Sequence, residues 1–596
     1  MLNRLCYAIG SISGSMQESD ERKFVVAVIK DLLNLCDMKK GKERKGYVVG
    51  QYPRFLRAHW KFLRTAPRLQ GIKLQLEVVF KLFEFMHETF PGVQQMAVDT
   101  FLRICQKCKK KFVIQQNNEP APFIETLPSH IAQDISELEP LQICTFFEAV
   151  GHMISAAGDQ KVRLIALLMG LFNEKWNGIL RGLACRAEGL TATGSLEVFV
   201  QNQQVLRDIS LILRVNERMV VAIGTACHAQ LEGMYCDMLK IYKVCSDFIS
   251  HSTSQQGAQV MNLANVRLLR NVKRDTLRLV RSFVDAATPQ GAAEMRLTPA
   301  TIAQRFVPPL LEPVLADYRS NMPQARDAEV LDLLAVLATR IHESISPEVG
   351  RIFEMVLECT CDMIKGDFQS YPDHRVKFYD LLKAINANCF QALFYLPEAQ
   401  LILFVESLIW AMKHEQPQVA DSGLQVLSQF LERLLNGPSS IYVPFFKQYY
   451  FLILQSVIGV LTDTCHKSGF KLQQHILLQL IVAAENQMLS DAAPKQRVME
   501  FLFELIGKSF PTLNKSQAEI FVLHCFNKSR QPAEFQQHIR DFLIQLKEWG
   551  SHESALYEAD RKAAQDEQQQ LERQWRMQVP GLVPQYDPGR ADMDDL

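Results

Sequence analysis

Cys105-Gln-Lys-Cys108 has the spacing of half a zinc site, two thiolates that one helical turn could present to a single tetrahedral ion. A structural site needs four ligands, and no second pair follows, so two core cysteines are the preferred reading. Cys359-Thr-Cys361 has the wrong spacing for one metal and is read the same way. The 14 His are dispersed. A P-loop, a GxGxxG behind a strand, an HExxH helix and a GxSxG elbow are all missing. The expectation is a protein that is not an enzyme and needs no cofactor and no metal. Two basic clusters remain, Lys39 to Lys45 and Lys107 to Lys111, and each is expected to be a solvated turn between helices.

Charge narrows the partners. Lys+Arg and Asp+Glu both number 65 in the 596 residues, so the formal net charge is zero. A general nucleic-acid binder needs a standing basic excess to neutralise phosphates, so no direct nucleic-acid partner is expected. Hydrophobic residues make up 48% and charged residues 22%, a globular mixture that excludes wholesale disorder. The 14 Cys lie mostly inside apolar runs, a pattern that suits a reducing compartment better than a disulfide framework. The first ten residues are too short and interrupted for a signal peptide, and no window approaches 18 uncharged apolar residues. No membrane partner is expected.

The elements that must position these side chains are helices. Apolar residues recur at steps of three and four from Phe24 to Cys36, Val93 to Cys108, Val330 to Ile341, Ile352 to Ile364 and Leu424 to Leu435. Alternating strand patterns with hairpin turns are almost absent. Breaks fall at Phe90-Pro91-Gly92, Tyr371-Pro372-Asp373 and Ser509-Phe510-Pro511. A second regularity sits above the helices. Val93 is followed by Ala97, Phe101 and Ile104; Val419 is followed by Gly423, Leu427 and Phe430. A small residue lets a facing helix come close while the large ones fill the layer between repeats. This is the inner-helix pattern of a paired-helix repeat of about 40 to 47 residues, roughly a dozen of which would fit here. The fold class is all-α, a HEAT-repeat α-solenoid of antiparallel helix pairs.

Three stretches depart from the pattern. Pro67 to Glu77 interrupts a strong helix–helix joint, and Ser252 to Ala264 and Thr288 to Ala300 read as loops. Residues 551–596 form a separate C-terminal part. Glu558 to Trp575 is a charged, Gln-rich helix, and the Pro/Gly/Asp tail behind it has no apolar face to bury and is expected to be disordered.

Several motifs are specific enough to carry a family. Ala8 to Gly14 (AIGSISG), Val49 to Leu63 (VGQYPRFLRAHWKFL), Lys81 to Thr89 (KLFEFMHET), Asn271 to Leu277 (NVKRDTL), Phe306 to Leu311 (FVPPLL), Ile409 to His414 (IWAMKH) and His538 to Leu543 (HIRDFL) closely resemble the exportins of the importin-β, or karyopherin, superfamily. The resemblance runs along essentially the whole chain and corresponds to the C-terminal half of such a receptor. It implies a superhelix that shuttles between nucleus and cytoplasm through the nuclear pore. Its implied partners are cargo proteins with leucine-rich nuclear export signals, Ran-GTP and nucleoporins.

The resemblance also implies a groove for the export-signal peptide, within HEAT repeats of residues 1–110. Its lining would be Ile29, Leu33 and Cys36 on one helix with Phe62, Val78, Lys81, Glu84, Phe85 and Met96. Lys42 and Lys45 would form its basic flank. Ile29, Leu33 and Cys36 share one helix face, which fits either a groove or plain inter-repeat core. Cys36 would be the reactive groove thiol, and Lys39, Lys40 and Lys42 nearby favour its thiolate. Lys81 would select against helices too long to fit. Residues 111–550 would be further repeats of the exportin C-terminal region. The terminal helix and acidic tail, with Asp587, Asp592, Asp594 and Asp595, would favour the closed groove.

The chain departs from the family pattern in three places. Residues that normally open the second groove helix are missing between Lys45 and Val48, and an insertion fills 66–77 (APRLQGIKLQLE). Both read as exon-boundary or gene-model faults. The chain also starts inside a repeat, as a fragment lacking the Ran-embracing N-terminal half. The expected function is nuclear export of signal-bearing cargo in cooperation with Ran-GTP; the alternative is a non-transport HEAT scaffold for protein assembly.

Overall fold

The computed structural model describes residues 71–545, except 89–91, 116–119, 190–199, 288–298, 367–368, 464–465, 467–468, 487, 490–491 and 511–512, together with 24, 27–28 and 31; for 71–78, 183–189 and 545 it describes the backbone alone. Among the described residues every regular element is a helix. They form two compact units that meet in sequence at Pro299 and Ala300, a boundary that the 1–110 and 111–550 reading did not draw.

The first unit contains α1 (Gly71–Met86), α2 (Val93–Val113), α3 (Pro140–Ile154), α4 (Lys161–Leu168), α5 (Gly170–Gly189), α6 (Gln203–Ile223), α7 (His228–Gln256) and α8 (Ala264–Asp285). Helices α2, α3, α6 and α8 stack side by side as one layer, with α1 packed on α2 and α7 on α8. Cross-layer side-chain contacts keep a constant offset. Gln106 meets His152 and Lys109 meets Ser155, each 46 residues on; Ser210 meets Asp275 and Glu217 meets Ser282, each 65 residues on. A constant offset is what parallel neighbours produce, and parallel neighbours are what repeated helix pairs must give. Phe83, Phe101, Phe146, Phe147 and Phe172 thread the layers in edge, tilted and stacked contacts of 5.0 to 5.9 Å.

The second unit runs α9 (Pro299–Ser320), α10 (Glu329–Arg340), α11 (Val349–Lys365), α12 (Pro372–Asn388), α13 (Glu398–Met412), α14 (Pro417–Leu435), α15 (Ser439–Thr462), α16 (Phe470–Glu485), α17 (Lys495–Ser509), α18 (Lys515–Asn527) and α19 (Pro532–Gln545). Here α10, α12, α14 and α16 stack as the layer, and α11, α13 and α15 pair with α12, α14 and α16. Buried hydroxyls tie the layers. Tyr379 donates to the Ser407 carbonyl and Tyr450 to the Leu480 carbonyl, both at 2.9 Å. Helix α15 is long and apolar enough to cross a membrane by length and composition, but Phe446, Tyr450, Ile453, Leu454 and Val457 are fully buried, as in a core helix.

The repeat signature has the expected physical cause. Ala97 is 0% exposed, and a Cβ on Gly423 would lie 2.5 Å from the Ala411 Cβ, so the small positions are where helices touch. Three expectations need correction. Gly71 to Glu77 is not a break but the first turns of α1. Ser252 to Gln256 continue α7, and only Gly257, at φ 74°, ends it before a short 3-10 turn over Ala258–Asn262. Lys107 to Lys111 lie on α2 rather than in a turn. Residues 288–298, 39–45 and 551–596, with their expected loop, basic turn and tail, lie outside the described residues.

Candidate functional site

The described part of the expected groove is the α1–α2 pair. Val79, Leu82, Phe83, Phe85 and Met86 seal the inward face of α1 against Val93, Ala97, Val98 and Phe101 of α2. The outward face presents Phe80, Lys81 and Glu84, which lie within one turn of each other. The Lys81 ammonium pairs with the Glu84 carboxylate at 2.7 Å and sits 5.9 Å from the Phe85 ring centroid. Its side chain is only 12% exposed while that of Glu84 is 63% exposed, so the lysine stem is laid along apolar surface with its charge held by its neighbour. Gly92, at φ 79°, turns the chain into α2, and the Gln94 amide donates to the Met86 and Glu137 carbonyls, locking that turn.

Of the sequence-derived lining, Lys81, Glu84 and Phe85 are brought together, and Met96 stands half-exposed on the paired helix. Phe85 is 1% exposed and belongs to the floor beneath Lys81, not to an open wall. Val78 lies on α1 with its side chain outside the described residues, as do Ile29, Leu33, Cys36, Phe62, Lys42 and Lys45 entirely. Sequence reasoning missed Phe80, which is 53% exposed and touches Phe123 edge-on at 6.4 Å. Its phase was legible: Val79, Leu82, Phe83 and Met86 define the inward stripe, and Phe80 falls with Glu84 on the other side.

The thiols sort by burial. Cys105 and Cys108 point into the core, and burial together with the Cys108 neighbour raises the Cys105 thiol well above its usual value. Burial pushes Cys144 up to about 11 and Cys227 and Cys361 up to about 12. Cys236 on α7 is the exposed thiol among the described residues. Among those residues no group of three or more His, Cys, Asp and Glu is placed to hold a metal ion. Lys109 donates to the Ser155 hydroxyl at 3.3 Å, and Lys107 and Lys110 are exposed, so the basic cluster edges the α2–α3 layer.

Among the described residues, stacked helix pairs with no strand define a paired-helix α-solenoid. The structure titled Importin13 cytosolic state shares the fold, with a TM-score of 0.59 at 10% identity, over 92% of this chain and 54% of that one. A family model described as CRM1 C terminal matches residues 230–551, and one described as CRM1 / Exportin repeat 3 matches residues 1–43. The chain is 41% identical over 604 residues to Protein EXPORTIN 1A of Arabidopsis thaliana and 38% identical over 598 residues to Exportin-1 of Drosophila melanogaster. Each alignment covers 98% of this chain and 53% of the relative, so the chain spans about half the length of these curated relatives. The chain belongs to the CRM1, or exportin-1, family and corresponds to its C-terminal half.

Proposed function

We propose that this chain is the cargo-holding part of a nuclear export receptor. It would bind leucine-rich export-signal peptides with Ile29, Leu33 and Cys36 together with the α1–α2 pair. The observation that carries this reading is the similarity to relatives named exportin along 98% of the chain. The face presented by Phe80, Lys81 and Glu84 supports it. An apolar ring beside a charge held in place is suited to an amphipathic peptide that must bury Leu or Phe and stop at a defined length. Ran-GTP and nucleoporins are the partners this reading brings, with shuttling through the nuclear pore as its setting. It assigns the chain no catalytic role.

Fluorescence anisotropy with a labelled export-signal peptide tests it. The full chain is expected to bind, and Ile29→Asp or Leu33→Asp is expected to abolish binding with helicity intact, because an unpaired charge in an apolar slot is costly. Undiminished affinity in both variants would place these residues in inter-repeat core and leave the chain a helical scaffold.

A further inference from the structure

Where α12 and α14 end and α15 begins, the second unit holds an apolar groove of about 620 Å³. Phe390, Phe394 and Tyr395 line it from the 3-10 turn Phe390–Tyr395 that follows α12, and Leu434, Pro438 and Ile441 complete its apolar surface. Phe390 and Phe394 are half-buried and meet edge-on at 5.1 Å. The fully buried Phe430 ring braces them at 5.7 and 6.3 Å. Tyr395 differs: it is 87% exposed, and its side chain makes no ring contact or hydrogen bond among the described residues. Arg433, exposed in the last turn of α14, also lines the groove. Its Nη1 donates to the Asn386 and Ala387 carbonyls at 2.7 and 2.5 Å, which closes the C-terminus of α12. Its guanidinium carbon lies 5.9 Å from the Phe390 ring centroid. Those contacts fix the guanidinium plane but leave its Nε–Nη2 edge without a partner among the described residues, and no carboxylate there pairs with it.

We propose that this groove binds a small aromatic carboxylate, with its ring against Phe390, Phe394 and Tyr395 and its carboxylate on the free edge of Arg433. The volume falls within the range of about 300 to 1,000 Å³ typical of small-molecule sites, which are mostly apolar with a few polar groups that fix orientation. Aromatic rings favour an aromatic guest, because edge-to-face and offset contacts add to the burial, and a rigid ring loses little freedom on binding. The two parallel N–H groups on one edge of a guanidinium match the two oxygens of a carboxylate. Arg433 is the one charged residue among the described residues lining the groove, so no acidic side chain there repels the anion. A phosphate monoester fits less well, since its second charge would meet no second cation in that lining. Capping α12 accounts for Nη1 alone; it explains neither the unused edge nor a tyrosine ring left bare beside an apolar groove. The site lies wholly within the second unit and does not rest on the export reading.

The test titrates 2-naphthoate and its uncharged amide, 2-naphthamide, into the full chain and follows both by ligand-observed NMR. The acid is expected to bind about tenfold or more tighter than the amide. Arg433→Gln is expected to erase that preference and leave the amide unchanged. Tyr395→Ala, at a position too exposed to matter for folding, is expected to weaken both by about threefold. Helicity and melting are measured on both variants. Should Arg433→Gln fail to fold, 4-benzoylbenzoate, a photoreactive aromatic carboxylate, decides on the unaltered chain. Cross-links on 390–395 or 433–441 that naphthoate suppresses and naphthamide does not would then support the proposal. No detectable binding of naphthoate, equal binding of acid and amide, unchanged affinity for naphthoate in a folded Arg433→Gln variant, or cross-links confined to other segments would each overturn it. So would displacement of naphthoate by an uncharged, end-capped Phe peptide at lower concentration, which would make the groove a peptide site.

Discussion

At the scale of single residues, burial decides what each group can do. Phe85→Asp is expected to destabilise the chain by about 3 to 5 kcal/mol, since it removes a core ring and buries a carboxylate. It therefore reports on folding, while Phe80→Asp reports on the outward face. A lower melting temperature for Phe80→Asp than for Phe85→Asp would reverse the two assignments. Thiol labelling follows the same logic. In a Cys236→Ser background, an electrophile is expected to modify Cys36 well before Cys144 or Cys227, and an export-signal peptide is expected to protect it. Labelling that the peptide does not slow would take Cys36 out of the groove.

Asp275 supplies a pH signature. Burial pushes its carboxyl up to about 6, against the opposing pull of the Ser210 hydroxyl, Arg214 and Arg278. A folded-state value above the unfolded one of about 3.9 means that the folded chain holds the proton more tightly. Its contribution thus favours folding at low pH and declines as pH rises from about 4 to about 6. Above that window the ionised carboxylate costs on the order of 2 to 3 kcal/mol. Asp275→Asn is expected to raise stability at pH 7.5 relative to the parent and to close the gap at pH 4. Denaturant melts at the two values check this, and parallel pH profiles would refute it.

At the scale of elements, close approach is the controlling quantity. A Cβ on Gly423 meets the Ala411 Cβ at 2.5 Å and the Met412 amide nitrogen at 3.2 Å, and the backbone atom cannot move aside. Gly151 is similar, with the Ala222 Cβ at 2.7 Å. Gly459, inside α15, has nothing within 4 Å. Gly423→Val is expected to cost about 1 to 3 kcal/mol through overpacking of the α13–α14 contact. Gly459→Ala is expected to add about 0.5 to 1 kcal/mol by removing helix-interior glycine. Thermal melts that move the same way for both would show that propensity, not interhelix spacing, governs these positions. Helix α9 makes the converse point. It runs through Pro308, Pro309 and Pro313 because Phe306, Leu310, Leu311, Val314 and Leu315 are buried along it, and packing outweighs the lost hydrogen bonds.

At the scale of the whole molecule, the acidic end of the chain is proposed to regulate the groove. The proposed contact joins Asp587, Asp592, Asp594 and Asp595 to Lys107–Lys111, which α2 holds at the edge of the layer. Deleting residues 558–596 is expected to tighten export-signal binding, most at low ionic strength, where screening is weakest. Equal affinities of the truncated and full chains at low and high salt would rule this regulation out.

The amino-acid sequence by itself determined the helices, the paired repeat and the family. The Val93–Ala97–Phe101 and Val419–Gly423–Leu427 spacings mark one face of each helix, and periodicity of that kind is a local property. Which neighbour covers that face is not local, and there only the tertiary structure decided. Cys236 and Cys245 sit on the same helix, nine residues or about two and a half turns apart, so one is exposed and the other sealed. Phe80 and Phe85 belong to one apolar run but diverge to opposite faces of α1. Residues 71–77 looked like an interruption, yet they extend α1. In a solenoid each helix is packed by its pair and by the next repeat, so a side chain's exposure depends on partners about 40 to 70 residues away. A pattern read along one segment carries the face but not what covers it.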